Sequence, residues 1–364
     1  MERRVSHIPA LDGVRGLAIV LVVLFHSGLI INGSSSTEKL WLQSVSFGWA
    51  GVDLFFVLSG YLISSILINA RESKYYFRNF FARRAVRIFP LYFASLAILY
   101  TYRFADPDFQ WWYWLFAQNW IPILNGTAQP IAMQPYWSLA VEEQFYLIWP
   151  FVIYLLKPNQ VSRFCYMTIA AVFAARCYAK VNGVDPWAIT ITTPFRMDAL
   201  AMGALVATVY QQSDIKALRK TGWRFAAIGT LTVLGISFYE GGYRMDGFLA
   251  QTLGYTMFAA ACAGLIAVIV SHEGSSPGVL RFFESKVLQH LGNRSYAIYV
   301  MHMPLLVMMT VIYQQRLANK DQSGSLDIQC FMIVIVVCLI LAELSWHLFE
   351  KQFLKLKKHF PRNV

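Results

Sequence analysis

Asp12, Arg15 and His26 share one apolar run, "LDGVRGLAIVLVVLFHSG" (11–28), which is nearly long enough to cross a bilayer. An ionisable side chain near the centre of a spanning helix costs roughly 2.5–3.5 kcal/mol on insertion scales, so each needs a partner or a function. Over the helical stretch from Arg15 to His26, three turns bring the two side chains within about 20° of one face, roughly 16 Å apart along the axis. One stripe would then carry a guanidinium near the inner membrane mouth and an imidazole, a proton acceptor, in the outer half. The structural alternative pairs Asp12 with Arg15 at i and i+3 and leaves His26 to bond a neighbouring helix.

Further blocks add polar groups to apolar surroundings. "PYWSLAVEEQFYLIWP" (135–150) sets Glu142 and Glu143 about 9 Å below the outer end of a helix, a depth similar to that of His26. A carboxylate beside an imidazole fixes its tautomer and suits it to general-base work. Adjacent residues point about 100° apart, so only one of the two can face His26, and Glu142 is the candidate. "GWAGVDLFFVLSGYLI" (48–63) places Asp53 among Gly48, Gly51, Ser59 and Gly60, small residues that permit close helix approach. "TPFRMDALAMG" (193–203) contributes Arg196 and Asp198, read most simply as a salt bridge with one another and otherwise as contacts for an acceptor's hydroxyls. "RSYAIYVMHMPLL" (294–306) holds Tyr299 and His302; a lone histidine on such a face reads as a satisfied packing residue. The basic stretch "RESKYYFRNFFARRAVRIFP" (71–90) interleaves aromatics with arginines, and an interfacial helix on anionic lipid explains most of them. Arg84 and Arg87, three apart, share a face at the membrane mouth, and guanidinium pairs suit phosphates.

The elements that must position these groups follow from composition. The chain has 364 residues, 57% of them hydrophobic and 14% charged, with a mean hydropathy of +0.46. Soluble domains carry about 25% charged residues, so this is an all-α integral membrane protein. Its net charge of +11 would suggest nucleic acid in a soluble chain; here it belongs to membrane topology, and no nucleic-acid partner is expected. Cys165, Cys177, Cys262, Cys330 and Cys338 lie in apolar segments without metal-ligand spacing, so no metal is expected. "MERR" before an apolar run mimics a signal peptide, but Asp12, Arg15 and the lack of a small-residue cleavage site make it a first span.

Apolar windows predict spans near 11–31, 45–69, 88–104, 136–156, 164–181, 194–212, 224–240, 248–271, 295–314 and 327–349. "FQWWYWLFAQNWIPIL" (109–124) is short, rich in Trp and interrupted by Pro122, and suits an interfacial or re-entrant piece. With the N-terminus inside, Lys and Arg divide 22 to 6 in favour of the cytoplasm, which requires an even number of spans. The expected architecture is a polytopic protein of about ten transmembrane helices with both termini cytoplasmic. It is expected to form one membrane domain over 1–364, with its core at 8–350 and no appended soluble domain. No internal repeat is visible, which weakens an inverted-repeat transporter.

Six blocks in order resemble the membrane acyltransferase 3 family, whose members O-acylate cell-surface and exported molecules. They are the Arg15-to-His26 spacing within "LDGVRGLAIVLVVLFH", "GVDLFFVLSGYLIS", "RRAVRIFPLY", "YWSLAVEEQFYLIWP", "FRMDALAMGALVA" and "SYAIYVMHMPLL". They run from residue 8 to about 306, and each is weak alone. The resemblance implies an acyl-CoA donor, usually acetyl-CoA, on the cytoplasmic side of a bacterial inner membrane, and an acceptor hydroxyl beyond it. The family's critical arginine and histidine map onto Arg15 and His26, its paired basic residues onto Arg84 and Arg87, and its "WSLxVE" glutamate onto Glu142. Some members add a C-terminal extracytoplasmic esterase-like domain; this sequence stops at Val364, so transfer is expected to be completed by the membrane domain or a partner.

On that resemblance Arg15, Arg84 and Arg87 would hold CoA phosphates, and the pantetheine arm would run along the first span towards His26. Glu142 would orient His26, which would deprotonate a sugar hydroxyl or carry the acyl group transiently. Asp12, Asp53, Arg196, Asp198, Tyr299 and His302 are expected to support the site or touch substrate. The expected acceptor is a glycan or lipid-linked sugar, with an exopolysaccharide the first choice. The rival is a proton-coupled transporter or flippase using Arg15, His26, Asp53 and Glu142.

Overall fold

The computed structural model describes residues 7–29, 31, 33, 35–103, 107–126, 129–212, 214–272, 278–318 and 328–361. These residues form helices and no β-strand, as expected of a chain that must satisfy its backbone within each segment in lipid. Ten helices of 16 residues or more stand among them. They are α1 (Pro9–His26), α2 (Gly51–Asn69), α3 (Tyr76–Thr101), α4 (Tyr136–Leu155), α5 (Pro158–Val181), α6 (Met197–Gln212), α7 (Ile215–Tyr239), α8 (Tyr255–Val270), α9 (Lys286–Ala318) and α10 (Ile328–Ser345).

Each apolar window of the sequence falls on one of these helices. Six helical stretches among the described residues are long and apolar enough to cross a membrane: Pro9–Leu29, Ser36–Asn69, Pro158–Val181, Ala250–Val270, Lys286–Ile312 and Ile328–His359. The other four windows lie on α3, α4, α6 and α7, where helices are shorter or more polar; α6 has 16 residues, and α3 begins with the arginine-rich stretch. Length and composition thus give six spans where ten were expected. Of the charges that set the expected orientation, Arg3, Arg4, Lys320 and Arg362 lie outside the described residues.

Glycine seams bring helix backbones together. A β-carbon added at Gly16 on α1 would lie 2.0 Å from the carbonyl oxygen of Leu288 on α9, and one at Gly292 would lie 1.9 Å from that of Asp12. Gly60 and Gly203 do the same between α2 and α6, at 2.0 Å from Leu200 O and 1.9 Å from Val57 O. Only residues without a side chain let helices approach so closely, and dispersion with backbone contacts then replaces a hydrophobic driving force that lipid cannot supply.

The tryptophan-rich segment does not form one long helix. It breaks into the short helices Gln110–Trp114 and Ile121–Asn125 with 3-10 turns at Pro107–Phe109 and Gln118–Trp120. Gln144 on α4 holds it: its Nε2 donates to Phe116 O at 2.8 Å and to Asn119 Oδ1 at 2.9 Å. Irregular backbone is tolerated at such a place because protein partners satisfy it. At the other end of the molecule Arg83 on α3 donates to the carbonyls of Lys357 and Phe360 at 3.2 and 2.8 Å. The C-terminal turn is thereby strapped to the basic part of α3.

Candidate active site

A cavity of about 950 Å³ opens between α1, α2, α3, α4 and α9, at the upper end of the roughly 300–1,000 Å³ of ligand pockets. Its wall brings together Arg15 from α1, Arg84 and Arg87 from α3, and Glu142 and Glu143 from α4. The three arginines expected to act together line one cavity. Arg15 Nη1 donates to Asp12 Oδ1 at 3.0 Å, and Asp12 Oδ2 lies 2.7 Å from His7 Nε2. The expected i, i+3 pair forms, and Arg15 also lines the cavity. The guanidinium carbon of Arg84 lies 5.5 Å from the ring centre of Tyr146, within cation–π range.

Glu142 has a different partner from the one expected. Its Oε1 accepts from Ser59 Oγ of α2 at 2.6 Å, and Tyr146 Oη donates to the same Ser59 at 3.2 Å. It makes no hydrogen bond to His26. Equal depth along two helices does not give equal direction: Glu142 turns towards α2, whereas His26 faces α9. Glu143 also lines the cavity, and its buried Oε1 has no hydrogen-bond partner.

One part of the cavity wall is basic, and away from the arginines it is lined by Phe55, Ser138 and Tyr299. Tyr299 Oη lies 2.5 Å from Ser138 Oγ and donates to Pro135 O at 2.8 Å. Behind Tyr299 stands His302, with ring centres 5.7 Å apart, and beyond it His26, with ring centres 5.0 Å apart. His26 is not part of the cavity wall; a rank of two rings separates it from the space that begins at Arg15. His302, read from sequence as a solitary packing residue, is instead the side-chain neighbour of His26, at 3.3 Å between His302 Nε2 and His26 Nδ1.

Four more buried charges pair across helices, and Arg196 and Asp198 do not take one another as partners. Arg196 Nη2 donates to Asp53 Oδ1 at 2.5 Å, and Asp198 accepts both Nη atoms of Arg176, at 3.0 and 2.7 Å. Arg196 and Asp198 are two apart, and residues at i and i+2 do not face each other on a helix. Thr256 of α8 donates to Asp198 Oδ2 at 3.0 Å, and the Arg196 guanidinium lies 4.3 Å from the Tyr255 ring centre. These four charges tie α2, α5, α6 and α8 together away from the cavity wall. Arg176 was not singled out in the sequence, although an arginine inside "VFAARCYAKV" meets the same criterion that selected Arg15. Ser59 was read only as a small residue, and nothing local marks it as a carboxylate's partner.

A family model described as an acyltransferase domain matches residues 8–343. The chain belongs to the membrane acyltransferase 3 family. It is similar to a Bacillus subtilis protein whose name assigns it provisionally to peptidoglycan O-acetylation, 29% identical over 95% of this chain and 54% of that one. It is also similar to the peptidoglycan O-acetyltransferase OatA of Listeria monocytogenes, 28% identical over 95% of this chain and 55% of the relative. The O-acetyltransferase OatA of Staphylococcus aureus is 27% identical over 94% and 57%. The chain thus spans about half the length of these curated relatives. No solved structure matches it. Family membership gives no support to the transporter reading.

Proposed function

We propose that the protein is a multi-pass O-acetyltransferase of a bacterial inner membrane. It takes the acetyl group of a cytoplasmic CoA thioester and passes it to a hydroxyl of a cell-envelope glycan on the far side. On this reading ten helices cross the bilayer with both ends in the cytoplasm. The observation that carries it is the cavity whose wall gathers Arg15, Arg84 and Arg87 and includes Tyr299, in front of His302 and His26. Its size suits a nucleotide with a long flexible arm, and three guanidiniums suit its phosphates.

The arm extends from the arginines along α1, so that the thioester passes Tyr299 to meet His26. His26 removes the proton of the sugar hydroxyl; the oxygen attacks the thioester carbonyl, the C–S bond breaks, and the departing thiolate takes the proton from the imidazolium. An acyl-histidine uses the same groups in two steps. Glu142, held by Ser59, works on the donor's side of the cavity. The names of the relatives direct the choice of acceptor to peptidoglycan in place of the exopolysaccharide first expected. The test uses purified protein in liposomes, radiolabelled acetyl-CoA and isolated peptidoglycan fragments. His26→Ala is expected to insert and fold with a wild-type melting curve and to transfer label about a hundredfold or more slowly, leaving a small residual rate; wild-type transfer by this variant removes His26 from the reaction.

A further inference from the structure

We propose that His302 is a positioning residue for His26: it accepts the Nδ1 proton of His26 and thereby keeps Nε2 of His26 as the nitrogen that reacts. The inference rests on the reaction proposed above. It starts from carbonyl oxygens, which only accept. His302 Nδ1 lies 2.7 Å from Tyr299 O and 3.2 Å from Ile298 O, so this nitrogen carries the ring proton. Nε2 of the neutral ring is then a lone pair. His26 Nδ1 lies 2.7 Å from Val22 O, so it too carries its proton, and His302 Nε2 lies 3.3 Å from the same nitrogen, near enough to share it. The two rings are therefore compatible without conflict: each donates from Nδ1, and the chain of donors ends on backbone. What remains free is Nε2 of His26.

Val22 O is already the acceptor in the α1 helix for the backbone N–H four residues on, and it shares its lone pairs. His302 supplies a second acceptor, and it matters most when His26 has taken the hydroxyl proton at Nε2. The imidazolium then donates from Nδ1 to a neutral nitrogen that can share its charge, the part the sequence had suggested for a carboxylate. His302 is 1% exposed and anchored by two backbone carbonyls, so its lone pair is held in place. The glycine seam between α1 and α9 keeps the two helices that bear the rings in backbone contact.

The experiment compares His302→Leu, His302→Gln, His26→Ala and the double variant His26→Ala/His302→Leu in the liposome assay with peptidoglycan fragments. His302→Leu is expected to lower kcat about tenfold or more while KM for acetyl-CoA stays within about twofold. His302→Gln, whose amide oxygen can accept the same proton, recovers most of the loss. In the His26→Ala background the leucine change is expected to lower the residual rate no further, because His302 acts through His26. Equal losses in the Gln and Leu variants, a parallel rise in KM, or a further loss without His26 overturns the proposal. Nitrogen-15 NMR of histidine-labelled protein reads the contact without turnover. The wild type should show His26 protonated at Nδ1, with a signal that moves in His302→Leu; protonation at Nε2, or an unmoved signal, also overturns it. If the wild type transfers no acetyl group, the reaction is wrong, and the spectra alone decide the pairing of the rings.

Discussion

Arg176 and Arg196 are almost wholly withdrawn from solvent, at 0% and 2% exposure, and both are paired, whereas Arg15, Arg84 and Arg87 line a cavity. The difference separates charges that hold helices together from charges that can meet a ligand. Removing one partner of a buried pair leaves the other uncompensated, at a cost of about 3–5 kcal/mol. Asp198→Ala is therefore expected to lower the melting temperature in detergent by many degrees, while Arg84→Ala/Arg87→Ala changes it little. The arginine double variant should instead weaken acetyl-CoA binding about tenfold or more by equilibrium dialysis; undiminished binding would assign both to the lipid surface. The sequence made the charged residues of the site legible, because an ionisable group in an apolar run is conspicuous by its cost. It did not make their partners legible. Arg196 finds Asp53 across 143 residues, and Glu142 finds Ser59 across 83, and no local spacing encodes such pairs.

Helices α1 and α9 show what one added side chain would do. Gly16 faces a carbonyl with no room for a β-carbon, and overpacking of this kind costs about 1–3 kcal/mol or more. Gly16→Val is expected to shift the protein to the void volume in fluorescence-detected size exclusion. Gly235 on α7 has nothing within 4 Å of an added β-carbon, and Gly235→Ala should leave the elution unchanged or raise stability by roughly 0.5–1 kcal/mol. Element positions were largely readable, since long apolar windows can only be helices in lipid. The break of 109–124 into short pieces was signalled by its Trp content and Pro122, but its anchoring by Gln144 depends on a neighbour distant in sequence.

At the level of the whole molecule, the proposed topology puts the connection between α7 and α8 outside and the start of α7 inside. In a variant with the five native cysteines replaced by serine, Arg244→Cys should react with a membrane-impermeant maleimide in intact spheroplasts. Lys216→Cys should react only after permeabilisation; the reverse pattern inverts the protein and removes the cytoplasmic donor. α1 and α9 touch through backbone atoms at Gly16 and Gly292, ten residues from His26 and His302, so the seam sets the spacing of the two helices that carry the imidazole pair. On the proposed function, a bulky nucleotide would be met by α3 and α4, which line the cavity with the long side chains of Arg84, Arg87, Glu142, Glu143 and Tyr146. A side chain added at the seam would therefore disturb the reacting centre without touching the wall that meets the donor.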